Sequence, residues 1–127
     1  MKFAKVKLNG KWGFISKNGE EITPIKYDSA EDFENGFAVV ELNGKCGFIN
    51  EKGEEITPLK YEGAWRFENG FARVRLNGKY GFINKKGEEI IPLKYDYVWN
   101  FKNGFAQVQL NGKWFTINEK GEKVKAK

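Results

Sequence analysis

Apolar and polar residues alternate over short stretches of this chain, and the stretches return. In Phe71-Ala72-Arg73-Val74-Arg75-Leu76 the residues Ala72, Val74 and Leu76 stand two apart, with arginines between them. Successive strand residues point to opposite faces, so this spacing predicts a strand with one buried face. The run Lys79-Tyr80-Gly81-Phe82-Ile83 follows after only Asn77 and Gly78. Asn-Gly suits the two left-handed positions of a type I′ turn, so the two runs are predicted to form a β-hairpin. A two-residue turn sets the register. Leu76 falls opposite Lys79, Val74 opposite Gly81 and Ala72 opposite Ile83 on one face, with Arg75 opposite Tyr80 and Arg73 opposite Phe82 on the other. Gly81 thus lies on the aliphatic face, where a missing side chain marks a bend or the close approach of another layer. On the ring face, cation–π contacts are worth about 0.5–1 kcal/mol if exposed.

The hairpin is one of four. Asn9-Gly10-Lys11-Trp12-Gly13-Phe14-Ile15 returns from Asn43, from Asn77 and from Asn111, each step thirty-four residues without insertion or deletion. Adjacent full copies are roughly two-thirds identical, which makes the chain a tandem repeat. After each hairpin comes a Gly-bearing turn and a segment such as Glu54-Glu55-Ile56-Thr57-Pro58. Proline cannot donate to a ladder, so this third element is predicted to be an edge strand or to stop there. The connectors 27–35, 61–69 and 95–103 follow, with apolar residues three apart (Tyr27, Ala30, Phe33) and Asn-Gly at their ends. That spacing fits neither a strand nor a helix cleanly, and a fourth short strand is expected ahead of a helical turn.

These elements predict an all-β chain of short antiparallel β-meanders in 34-residue repeats, stacked as a solenoid-like array. A small propeller-like ring is the alternative, although thirty-four residues is short for a four-stranded blade. Residues 1–127 read as one repeat domain, with meanders at about 1–26, 36–60, 70–94 and 104–127 between the connectors. The last copy departs from the others: Phe115 replaces the glycine, Thr116 replaces the phenylalanine, and the strand Glu122 to Ala126 is lysine-rich. Atypical terminal copies of this kind are expected to act as caps.

The motif string Asn-Gly-Lys-Trp-Gly-Phe-Ile, Gly-Glu-Glu-Ile-Thr-Pro, Lys-Tyr-Asp resembles the bacterial WG repeat, also called the KWG repeat, over essentially the whole chain. Cys46 and Tyr80 stand in for the tryptophan, and Phe115 for the glycine. The resemblance implies a β-rich tandem array with no common activity and no catalytic residues to carry over.

Composition narrows the chemistry. The chain has no histidine, which removes His-based triads and most zinc and iron sites. Its single cysteine, Cys46, occupies a position filled by Trp or Tyr in sister copies, so packing is its expected role. No phosphate-binding loop is present, since the glycines follow the repeat. The pairs Glu20-Glu21, Glu54-Glu55 and Glu88-Glu89 could suggest a hydrolase, but neighbours on a strand face opposite ways. They are expected to keep an edge strand soluble. The chain is therefore expected not to be an enzyme and to use no cofactor or metal. No stretch reads as a signal peptide or a membrane span, which leaves the compartment open with cytoplasm favoured.

The net charge of +5 is interleaved along the chain, with acid gathered over 20–34 and base in Lys113, Lys120, Lys123, Lys125 and Lys127. More informative is where the copies disagree, because residues that vary are not needed to build a copy. Variation gathers Trp65, Arg66, Arg73, Arg75, Tyr80, Trp99, Gln107 and Gln109. Trp, Tyr and Arg are enriched at interface hot spots. Drift on an exposed face explains the same divergence, with Trp65 and Trp99 filling gaps between copies. The expected function is a non-catalytic module binding a macromolecule, foremost a protein, as a scaffold or an inhibitor. Nucleic-acid binding through Arg66, Arg73 and Arg75 is an alternative. A carbohydrate or cell-surface module is another, although the sequence shows no polar constellation for it.

Overall fold

In the computed structural model, which describes residues 3–124, the chain is all-β and holds no helix among those residues. It divides into two compact units, Met1–Tyr61 and Glu62–Lys127. The first contains β1 (Phe3–Leu8), β2 (Lys11–Ser16), β3 (Ser29–Ala30), β4 (Phe37–Leu42) and β5 (Lys45–Asn50). The second contains β6 (Gly63–Ala64), β7 (Phe71–Leu76), β8 (Lys79–Asn84), β9 (Glu89–Tyr95), β10 (Tyr97–Val98), β11 (Phe105–Leu110) and β12 (Lys113–Asn118). The sheets are small and antiparallel: β1-β2 and β3-β4-β5 in the first unit, β6-β7-β8-β9 and β10-β11-β12 in the second. None closes into a barrel among the described residues, and in each unit they follow one another in tandem, as in a solenoid-like array of repeats.

The four hairpins form in the predicted register, with Val74 opposite Gly81, Ala72 opposite Ile83 and Arg73 opposite Phe82. Their turns are left-handed at both positions, for instance φ of 54° at Asn77 and 77° at Gly78. Asparagine tolerates that region and glycine has no Cβ to oppose it. The second Asn-Gly of each copy makes the same kind of turn. Asn35 has φ of 55°, and Glu34 and Phe37 exchange both backbone hydrogen bonds across it. The connector is therefore folded back onto the next hairpin. Its short strand, β3, β6 or β10, pairs with the following long strand: Ala30 with Val40, Ala64 with Val74, Val98 with Val108.

The third element differs from expectation in the first two copies. Only isolated bridges hold it there, Ile15 to Glu21 and Trp12 to Tyr27, then Ile49 to Glu55 and Cys46 to Tyr61. A continuous strand, β9, forms in the third copy, at the sheet edge and through Pro92. The reason lies in one side chain. Thr23 and Thr57 are buried, and their hydroxyls accept the Phe14 and Phe48 amides at 3.1 and 3.3 Å. The third copy has Ile91 in that place, and Phe82 pairs with it along the backbone. In the last copy Lys123 bridges to Ile117, and the Val124 amide donates to the Thr116 carbonyl at 2.8 Å. The rest of the strand predicted to Ala126, with Lys125 and Lys127, lies outside the described residues.

Between its two points of attachment the third element of each of the first three copies bulges across the hairpin glycine. A Cβ on Gly81 would lie 2.5 Å from the Ile91 carbonyl oxygen, and one on Gly13 would lie 2.8 Å from the Ile25 Cα. The close approach inferred from the glycine is this bulge. The ring face is also part of the core, because copies stack face to face within a unit. Phe14 and Tyr27 pack with Ala38, Val40 and Ile49 of the next copy. Phe82 and Tyr95 likewise pack with Ala106, Val108 and Ile117. A hairpin predicted to bury one face buries the middle of both.

Candidate binding surface

The residues that vary between copies converge in the second unit on a ladder of rings. Trp65 follows β6, and its ring lies over Gly63, where a Cβ would come within 2.9 Å of it. From Trp65 the centroids run 5.6 Å to Tyr80, 4.9 Å on to Tyr97 and 5.2 Å to Trp99. Trp114 closes the series, 6.3 Å from Tyr97 and 6.5 Å from Trp99, with the two indoles inclined by only 21°. Both tryptophans at this end stand open to solvent, 53% and 45% exposed.

The two guanidinium groups of β7 serve different ends. Arg73 is half-buried between Trp65 and Tyr97, 5.1 and 5.9 Å from their centroids. Its Nη1 donates to the Tyr97 hydroxyl and the Val98 carbonyl, both at 3.2 Å. Arg73 therefore ties the third copy to the fourth. Arg75 is exposed, 5.8 Å from the Tyr80 centroid, with Nε 3.9 Å from Glu62. Gln109 pairs with both Tyr97 and Trp114 across the sheet, and Gln107 pairs with Thr116. Arg66 is exposed, and its Nε lies 3.8 Å from Glu68 in its own connector.

Of the eight residues singled out in sequence, the ladder joins Trp65, Arg73, Arg75, Tyr80 and Trp99 through direct contacts, and Gln107 and Gln109 line its far end. Tyr97 and Trp114 were missed. Tyr97 could have been found by the same criterion, since Ser29 and Gly63 hold its place in sister copies. Trp114 sits at the motif position shared by Trp12, Cys46 and Tyr80, where a tryptophan matches the repeat and gives no signal of divergence.

Several other charged groups support the fold. Glu54, Glu88 and Glu122 each accept from the side-chain amide of Asn50, Asn84 or Asn118, at 2.8 to 2.9 Å, and so close the turn after the hairpin. Glu55 accepts from the Tyr27 hydroxyl at 2.7 Å. Within the carboxylate pairs, Glu54, Glu55 and Glu88 thus hold the fold. Connector acids cap the next hairpin turn: Asp28 accepts from the Asn43 amide, Glu62 from Asn77 and Gly78, Asp96 from Gly112. Lys11 beside Asp28 and Lys79 beside Asp96 hold both aspartates below the usual carboxylate range. Cys46 is half-buried, and burial, with Glu41 and Glu31 adding to it, pushes its thiol up. That direction disfavours the thiolate a nucleophile needs.

The family described as WG containing repeat matches the chain three times in succession, at residues 12–46, 47–80 and 80–114. No curated protein gives a significant match.

Proposed function

The chain belongs to the WG-containing repeat family, and we propose that it works as a non-catalytic repeat module that binds a protein partner through the ring ladder of its second unit. One observation carries this reading. A copy folds without the ladder: at the same positions the second copy has Val39, Glu41 and Cys46, behind a connector with Glu31 and Asp32. The exposed indoles of Trp99 and Trp114 are therefore surplus to the repeat's own construction. They are the residue types that dominate binding energy at protein interfaces. Stacked rings are held at little entropic cost, which favours their use as anchors.

The alternative of nucleic-acid binding loses support from the arginines it depends on. The Arg73 guanidinium is engaged by Tyr97 and Val98, and Arg66 and Arg75 lie beside Glu68 and Glu62. The test is capture from native lysate by the wild-type chain, beside a Trp99→Ala, Trp114→Ala double variant and an Arg75→Glu variant. A partner held by the wild type and lost by the double variant, with folding intact by circular dichroism, is the expected result. Equal recovery by all three proteins would overturn the reading.

A further inference from the structure

The outer face of β10-β11-β12 ends in a groove of about 1120 Å³. Three of its walls are rings: Trp99, Trp114 and Phe105, the last 48% exposed. In the other copies this face carries a central phenylalanine buried by what stacks on it, as Phe14 and Phe82 show. Here the central residue is Thr116, with Gln107 opposite it across the sheet. Seating another aliphatic repeat face on it would strip water from the Thr116 hydroxyl and the Gln107 amide and leave both without hydrogen-bond partners, which opposes such stacking. The groove is thus built with ring walls and a hydrogen-bonding floor, which suits neither a further copy nor a purely apolar ligand.

Its charge is one-sided. Lys102 and Lys123 line it, and among its described lining residues there is no aspartate or glutamate. Two acids of the same copy are tied elsewhere, Asp96 to Lys79 at 2.9 Å and Glu122 to Asn118. A complementary ligand is therefore anionic, offers a flat apolar surface to the indoles, and exchanges hydrogen bonds with an amide and a hydroxyl. A peptide backbone meets the last need, since a glutamine side chain both donates and accepts. Proline meets the second, because aromatic-lined grooves take pre-extended proline segments at low entropic cost.

The geometry points to this groove as the docking site for an acidic, proline-bearing extended segment of the partner. The inference rests on the reading of the second unit as a protein-binding module and names the chemistry of what is bound. The test uses the full chain and three synthetic peptides of equal length, alternating Glu–Pro, Gln–Pro and Lys–Pro, with tryptophan fluorescence and calorimetry as readouts. The Glu–Pro peptide is expected to bind best, to weaken as salt rises, and to lose about tenfold or more in affinity with Trp99→Ala. Lys123→Glu, a change at an exposed rim residue, is expected to shift preference toward Lys–Pro while Trp99 and Trp114 stay in place. Equal affinity for all three peptides, or no binding by Glu–Pro, would overturn the inference. So would preference for an oligothymidylate, or concentration-dependent self-association abolished by Trp99→Ala. The outcomes separate the two proposals: a lysate partner lost with the tryptophans, beside peptides that show no charge preference, sinks only the assignment of ligand chemistry. A partner retained without the tryptophans sinks the module reading itself.

Discussion

Replacing Gly81 by alanine adds one methyl group at the point where the Pro92 bulge crosses the hairpin. The new Cβ would sit 2.5 Å from the Ile91 carbonyl oxygen and 2.8 Å from that of Pro92, both backbone atoms in the edge strand. Neither can swing aside as a side-chain end does, so β9 must lift from β8. Overpacking of this kind costs about 1–3 kcal/mol, and backbone obstruction puts Gly81 at the upper end. Against it stands about 0.5–1 kcal/mol recovered by removing a strand glycine's freedom in the unfolded chain. The expected net loss is about 2 kcal/mol. Gly47 provides the contrast. Its nearest obstacle is Cδ2 of Leu59 at 2.5 Å, the end of a flexible side chain, with the Thr57 hydroxyl at 3.0 Å. Gly47→Ala is expected to cost well under half as much. Urea unfolding of both variants, followed by tyrosine and tryptophan fluorescence, measures the two losses. At about 4–8 °C per kcal/mol for a unit of this size, Gly81→Ala should lower its melting temperature by about 10 °C. If Gly81→Ala is as stable as wild type, or if the two variants lose equally, the bulge is not what the glycine serves.

Other substitutions probe the same construction. Phe115, at the glycine position of the last copy, packs near Tyr95 at 6.2 Å with Lys123 5.0 Å from its centroid. Phe115→Gly is expected to destabilise by about 2 kcal/mol, because the ring is only partly buried, and an unchanged melting temperature would refute its role as a cap. Tyr27→Phe removes the donor to Glu55 and should cost about 1–2 kcal/mol at neutral pH. Burial and the Glu55 carboxylate raise the Tyr27 hydroxyl above its ordinary value. Its contribution is therefore complete below about pH 10 and is lost as pH climbs beyond, so the gap between wild type and Tyr27→Phe should close in strong alkali. Asp96 is shifted the other way, so its contribution is present above its ordinary value of about 4 and lost as pH falls below it. Asp96→Asn should therefore show a shallower loss of stability than wild type between about pH 6 and pH 3, measured by urea midpoints, and parallel curves would remove the lysine pairing as the cause.

Much of a copy could be read from neighbours in sequence. The hairpins, their register and the crowding at the glycine all follow from a two-residue period and an Asn-Gly turn, which act within about ten residues. What Thr57 and Ile91 do was not legible, because both fit the same pattern. A hydroxyl that takes the Phe48 amide for itself and a side chain that leaves the strand to pair differ only once the segment has folded back. The candidate surface divides in the same way. Divergence between copies picked out Trp65, Arg73, Tyr80 and Trp99, whereas the separation of Arg73 as an internal tie from Arg75 as an exposed group depends on Tyr97 and Val98, more than twenty residues away.

The amino-acid sequence by itself thus determined the repeat, its hairpins and the residues free to vary, since each of these is set by local backbone preference. Tertiary structure decided the rest. Stacking copies face to face made the phenylalanine face a core, tied the Tyr27 hydroxyl to Glu55, and left one ring-walled face of the last copy uncovered among the described residues. Those outcomes depend on which surfaces meet, and residues thirty-four apart meet only when one folded copy lies against the next.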